Sequence, residues 1–269
     1  MRAFLASAAL LLTTLPAAAE APLKRLTLRQ DLLGWEAVGR VEIDGRGYCT
    51  GVLVAADLVL TAAHCLSSAD GTLAAPATLR FRAGLRDGVA LAESGILRIV
   101  VHPAYAPQGA GAERIRHDLG LMQLASPVPV GTAAPYPAAA LAEGAGDLTV
   151  VSYGQGRDEA LSQDESCTLL GRDDGLVAFD CDVTFGSSGA PVFRRTGGRV
   201  ELVSLVSGGV TEGARRLAFG MELPKAVAEL KAALRRGDVR AEGAPAARVL
   251  RPAAGAASQA PGGAKFLRP

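Results

Sequence analysis

Three stretches of this sequence could together move a proton and attack a carbonyl. The first, CDVTFGSSGAP at residues 181–191, sets Ser187 and Ser188 between glycines and closes on a proline. Residues this small let backbone come close to a ligand. A serine hydroxyl is a weak nucleophile at its own pKa; it needs a base, and the base needs an orienting acid. The chain has three histidines. His64 ends an apolar run in VLTAAHCL. His102 precedes a proline in VVHPAY and reads as a strand-end or turn residue. His117 is followed by Asp118 in RHDLGLMQL, where the chain enters an apolar run. A histidine or aspartate alone in such a setting reads as structural. Histidine, aspartate and serine loop occurring together, in that order, supply the base, acid and nucleophile of acyl transfer.

Such groups need a rigid frame. From Trp35 the chain runs through short apolar stretches, AVGRVEI, TGVLVA, LVLTAAH, ATLRFRAG, GILRIVVH and LGLMQL, each bounded by Gly, Asp or Pro. That is the pattern of strands joined by turns. It resumes after a Pro/Ala stretch near 127–146 with DLTVVSYG, LVAFDCDV, APVFRR, RVELVSLVSG and LAFGMEL. Two successive β-rich blocks are expected, as two small barrels or a sandwich. Pro224 to Gly237, PKAVAELKAALRRG, departs from this pattern. Its apolar residues Val227, Leu230 and Leu234 recur three to four apart between a proline and a glycine, which predicts a helix.

Composition bounds the rest. With 269 residues the chain can bury a real core, and 49% hydrophobic against 20% charged residues makes it globular. Aromatics are 4%, so that core must be mostly Ala, Val and Leu. A formal net charge of +1, without a basic stripe, gives no reason to expect a nucleic-acid partner. Arg2, an apolar run, Pro16, and small residues at Ala17 and Ala19 read as a signal peptide over 1–19. No later stretch is long enough for a membrane span. The mature chain is therefore expected to be secreted or periplasmic and monomeric. Export makes the four cysteines candidates for disulfides, with three pairings that spacing cannot choose between. No CxxC pair occurs, so no metal or other cofactor is expected. The expected layout is a lead-in over 20–34, an N-terminal β block over 35–137, a C-terminal β block and helix over 138–237, and a disordered Ala/Gly/Pro/Arg tail over 238–269.

TAAHC, HDLGL and GSSGAP resemble the three signature stretches of chymotrypsin-like (trypsin-like) serine proteases. The resemblance runs from about Trp35 to about Pro224, and includes WEAVGRVEI, GYCTGVLVAADLVLTAAHCL and VVHPAY. It implies an all-β fold of two six-stranded antiparallel barrels, with the site in the cleft between them and a helix at the C-terminus. Ser188, which precedes the Gly189-Ala190-Pro191 step, would be the nucleophile, His64 the base and Asp118 the orienting acid. The N–H groups of Gly186 and Ser188 would form the oxyanion hole. Ser207 matches a serine that hydrogen-bonds the aspartate, and Gly208 and Gly209 would leave room for substrate backbone. By the same resemblance Cys49 and Cys65 match the bridge that braces the histidine loop, and Cys167 then pairs with Cys181.

Two features depart from the family pattern. Animal members carry an aspartate before the nucleophile, which pairs with a newly cut N-terminus; here the residue is Ser187, and Ile-Val-Gly-Gly is absent. The implied enzyme needs no such activation. Asp182, six residues before Ser188, matches the pocket floor that selects Arg or Lys; its plainer role is a turn carboxylate beside Cys181. No histidine follows His117, which weighs against a glutamate-selecting pocket. The implied function is an exported endopeptidase acting on proteins or peptides. The alternative is a weak or inactive protease-like binding protein. An esterase of the G-x-S-x-G type would place its histidine last in the chain, and here it comes first.

Overall fold

A computed structural model describes residues 23–109, 111–142, 144, 147–212, 215–238 and 241–242. The expected signal peptide and all of the expected tail beyond 242 lie outside these residues. Two antiparallel sheets make up the frame. The first contains β2 (Val38–Ile43), β3 (Gly47–Ala55), β4 (Leu58–Thr61), β5 (Leu79–Ala83), β6 (Ala92–Val101) and β7 (Gly120–Leu124). Its order is β6-β5-β2-β3-β4-β7, and a β6–β7 pairing closes it into a six-stranded barrel. Closure depends on β6. Ala92–Gly95 pair with β5, and Ile96–Val101 pair with β7.

The second sheet contains β1 (Lys24–Arg25), β8 (Leu148–Ser152), β9 (Ser162–Cys167), β10 (Leu169–Asp173), β11 (Leu176–Phe179), β12 (Pro191–Thr196), β13 (Arg199–Glu212) and β14 (Arg215–Glu222). Its eight strands run β1-β9-β8-β12-β13-β14-β11-β10, where six were expected. The difference has two sources. The lead-in supplies β1, and the polar run 162–173 is split at Thr168 into β9 and β10. Those halves pair with opposite ends of the ladder, β9 with β8 and β10 with β11. Counted as one bent strand, the run joins the two edges of a six-stranded set. The Cys167–Cys181 disulfide and the Asp180 N–H to Thr168 carbonyl bond (3.2 Å) pin the bend.

Two α-helices occur among the described residues. The short α1 (Gly111–Arg116), absent from the sequence expectation, precedes the His117–Asp118 corner. The expected helix forms as α2 (Pro224–Arg236), with proline in its first turn and Gly237 as a left-handed cap at φ 77°. Val227, Leu230, Ala233 and Leu234 are its buried face. Each fully buried leucine stabilises by about 1.5–3 kcal/mol over an exposed one. No helix among the described residues is long and apolar enough to cross a membrane.

Each barrel has its own core. Phe81, Val41, Leu53 and Ile99 centre the first, and Phe179, Val150, Val192 and Val203 the second. A third cluster fills the seam between barrels and carries much of the scarce aromatic content. The ring centroids of Trp35 and Tyr136 lie 5.1 Å and 4.7 Å from that of Phe193. The buried Tyr153 hydroxyl donates across the seam to the Leu85 carbonyl at 3.0 Å. The first and last described strands cross over as well. β1 pairs with β9 of the second barrel, and β15 (Ala241–Glu242), inside the expected tail, pairs with β6 of the first.

Candidate active site

β4 ends at Thr61, and the buried Ala62 and Ala63 lead into a 3-10 turn over Ala63–Cys65 that presents His64. The Cys49–Cys65 disulfide ties this turn to β3 across a separation of 16 residues. A bridge over such a loop stabilises by about 2–4 kcal/mol. Asp118 lies between α1 and β7 and is fully buried. Its Oδ1 accepts the His64 backbone N–H at 2.9 Å. Its Oδ2 receives His64 Nδ1 at 2.7 Å and the Ser207 hydroxyl at 2.5 Å. A carboxylate only accepts, so it holds the imidazole proton on Nδ1 and leaves Nε2 as the basic nitrogen. Burial alone would push the Asp118 carboxyl up. The hydrogen bond and charge of His64, the Ser207 hydroxyl and the His64 N–H outweigh it and hold the group below the usual carboxylate range.

The serine loop approaches from the second barrel. Ser187 is buried and turned inward; its hydroxyl pairs with Ser152 Oγ at 3.0 Å and accepts the Thr184 N–H at 3.3 Å. Ser188 is half-buried, and its hydroxyl makes no hydrogen bond among the described residues. Its carbonyl accepts the Thr50 N–H at 2.9 Å, and the next N–H, of Gly189, donates to Val206 at 2.7 Å. A Cβ on Gly189 would lie 2.8 Å from the Ala62 nitrogen, two residues before His64. Ser188 and His64 are thus delivered to one junction between the barrels.

Backbone orientation in this loop is fixed by neighbouring bonds. The Phe185 carbonyl accepts Gln155 N–H at 2.7 Å, and the Ser187 carbonyl accepts Ala190 N–H at 2.9 Å. In a trans peptide the N–H points opposite the carbonyl, so the N–H groups of Gly186 and Ser188 are turned the other way. Neither donates to a protein group among the described residues, whereas the Ser187 N–H between them is bound to Thr184 at 3.0 Å. Gly186 sits at φ 88°, with Tyr48 and the Tyr153 carbonyl crowding the place a side chain would take. Only glycine fits there. Thr50, Ser152 and Tyr48 were not picked out from the sequence. For Ser152 a signal existed: it is a hydroxyl inside the apolar strand DLTVVSYG.

The candidate binding residues lie along two neighbouring stretches. Ser207, Gly208 and Gly209 are on β13, antiparallel to β14. Asp182 stands beside the Cys167–Cys181 disulfide and is ion-paired with Arg216 of β14, a partner the sequence reading did not find. All four cysteines are in the two expected bridges, so the nearby groupings of His64 and Asp164 with cysteines offer no thiolate to a metal. His102 and His117 stack at 4.8 Å between ring centroids, and their planes are 14° apart, which directs their lone pairs side by side rather than toward one ion.

His102 is buried, with Nε2 3.1 Å from Glu229 and Nδ1 accepting the Ala104 N–H. Burial depresses its pKa; the Glu229 bond opposes this, and the charge of His117 adds to the depression. The unfolded chain then binds more protons below about pH 6.5, the ordinary histidine value. Stability is full above that value and falls as pH drops toward the lower folded pKa. Melting temperatures measured from about pH 8 to about pH 5 should fall on the acid side, and less steeply for His102→Gln.

Comparisons with known proteins agree with this frame. A family model for the trypsin-like peptidase domain matches residues 49–200, more than half of the chain. Human serine protease 56 is 40% identical over 102 residues, which are 38% of this chain and 16% of that protein. Mouse cathepsin G is 36% identical over 81 residues, 30% of this chain and 27% of that protein. The chain thus spans well under a third of the length of these relatives. A Glu endopeptidase structure aligns over 75% of this chain and 91% of its own, with a TM-score of 0.62 and 17% identity. A thermostable serine protease from an extremophilic microorganism aligns over 75% and 98%, with a TM-score of 0.61 and 20% identity. At such identities the structures speak for a chymotrypsin-like fold, and with the domain match they identify the chain as a member of the trypsin-like peptidase family.

Proposed function

We propose that the protein is an exported serine endopeptidase using His64, Asp118 and Ser188. The observation that carries this reading is the pair of free N–H groups, of Gly186 and Ser188, at the junction where His64 rests on the buried Asp118. Ser188 Oγ attacks the substrate carbonyl carbon as its proton passes to His64 Nε2. The two N–H groups hold the oxygen that becomes negative. His64 returns the proton to the departing amine, which leaves an ester on Ser188. Water, deprotonated by the same nitrogen, then releases the acid and restores the serine. Asp118 keeps the imidazole in the needed tautomer and offsets its positive charge, and Ser207 fixes Asp118.

Ser187 anchors the loop through Ser152, and this supports activity without a new N-terminus. The two disulfides are those of an oxidising compartment, which supports a secreted or periplasmic location. Selection of Arg or Lys through Asp182 would require the substrate to displace Arg216. The second reading, a protease-like binding protein, is favoured by one observation: Ser188 Oγ has no hydrogen bond to His64. Such bonds often tighten only when substrate is bound. Incubating the purified protein with a mixed peptide library and mapping products by mass spectrometry separates the readings. Discrete cuts are expected; an untouched library would favour the binding protein.

A further inference from the structure

Two stretches leave the candidate reaction centre side by side. Asp182–Phe185 run into the serine loop, and Ser207–Gly209 start from the hydroxyl that bonds Asp118. They touch, because a Cβ on Gly209 would fall 2.7 Å from Val183 Cγ2. A substrate side chain laid along them from Ser188, past Val183, runs toward Asp182 and the residues that follow Gly209 on β13. That place holds an ion pair between Asp182 Oδ2 and Arg216 Nη1. Arg216 stands on β14 opposite Thr211, two positions along β13 from Gly209, so the pair bridges both stretches.

The surroundings leave no net negative charge. Asp182 N–H donates to Asp164 Oδ2 at 2.8 Å, and Asp182 Oδ1 is buried without a hydrogen-bond partner. Arg157 lies near the same group; burial, with the charge of Arg216, holds its pKa below the ordinary arginine value, and the charges of Asp182 and Asp164 only partly oppose this. Two carboxylates and two guanidiniums sum to zero. A third cation would gain little there unless Arg216 moved away, and Arg216 is about half exposed, so it can.

We propose that Arg216 is a specificity-determining residue that occupies Asp182 in place of a substrate cation, so that the protein favours uncharged residues at the carbonyl side of the cut. The proposal rests on Ser188 being the nucleophile. Removing the guanidinium frees the Asp182 carboxylate and opens the site to Arg and Lys. The test compares peptides that differ only in the residue donating the scissile carbonyl: Ala, Leu, Glu, Arg or Lys. The proteins are the wild type, Arg216→Ala and Arg216→Gln, the last preserving side-chain bulk. Wild-type kcat/KM should be lower for Arg and Lys than for Ala and Leu. Both variants should raise the ratio of Arg and Lys cleavage to Ala cleavage by about tenfold or more, the worth of a hydrogen bond to a charged group. Benzamidine binding, followed by calorimetry, should appear or strengthen in the variants without any need for turnover. A wild-type preference for Arg, Lys or Glu would overturn the proposal. So would variants that a serine-directed phosphonate labels like the wild type, yet whose profile is unchanged. If no protein is labelled, the endopeptidase reading itself fails. Benzamidine then decides the rest: a gain in the variants upholds Arg216 as the occupant of Asp182, and no gain overturns it.

Discussion

A Ser188→Ala variant should lose peptide cleavage by roughly a million-fold, to the level of the frame alone. The methyl group has no oxygen to attack with, while the free N–H groups of Gly186 and Ser188 remain in place. Folding should be unaffected, since the Ser188 hydroxyl makes no hydrogen bond among the described residues. Ser187→Ala is the matched control. That hydroxyl is buried against Ser152 and Thr184 and anchors the loop, so its removal costs about 1 kcal/mol of stability and lowers cleavage far less than Ser188→Ala, because the attacking oxygen is still present. Peptide-library digestion with both variants checks the assignment, and retained cleavage by Ser188→Ala would move the nucleophile elsewhere.

The second large effect belongs to Asp118. Asp118→Asn keeps the shape but replaces a pure acceptor with an amide that also donates. The imidazole proton is then no longer held on Nδ1, Nε2 ceases to be the basic nitrogen, and kcat should fall about ten-thousand-fold. The variant also loses a buried charge that His64 and Ser207 favour. A carboxyl with a depressed folded pKa adds stability above the ordinary aspartate value near about pH 4, lost as pH falls through the folded value. The Asn variant should lack that contribution, so its acid unfolding should be shallower. Kinetics with pH-dependent melting reads both effects.

The proposed reacting groups were legible because their chemistry restricts their neighbours. His64 needs small residues and a tight turn after a strand, and TAAHC has them. The serine loop needs glycine where Tyr48 and Tyr153 leave no room for a side chain, and Gly186 is there. The late helix was readable from Val227, Leu230 and Leu234 and from its proline and glycine ends. Other features depend on pairings between distant segments. β9 and β10 were missed because SQDESC and LLGRD are polar, and a bent strand shared between two sheet edges has no apolar alternation to reveal it. α1 is six residues long with no buried face, so it leaves no periodic mark. Arg216 could not be matched to Asp182 without the β13–β14 register, which sets it opposite Thr211. The lead-in looked merely mixed, yet Leu26 and Leu32 are buried in the seam, where tertiary packing decides the outcome.

The most direct measurement is to react the purified wild type, Ser188→Ala and Asp118→Asn with a serine-directed phosphonate and map the adduct by peptide mass spectrometry. The phosphonate reports an activated hydroxyl beside a hole for negative oxygen, independent of which peptide the protein prefers. The account predicts one adduct on Ser188, none on Ser188→Ala, and much slower labelling of Asp118→Asn. An adduct on Ser187, or none on the wild type, would contradict it.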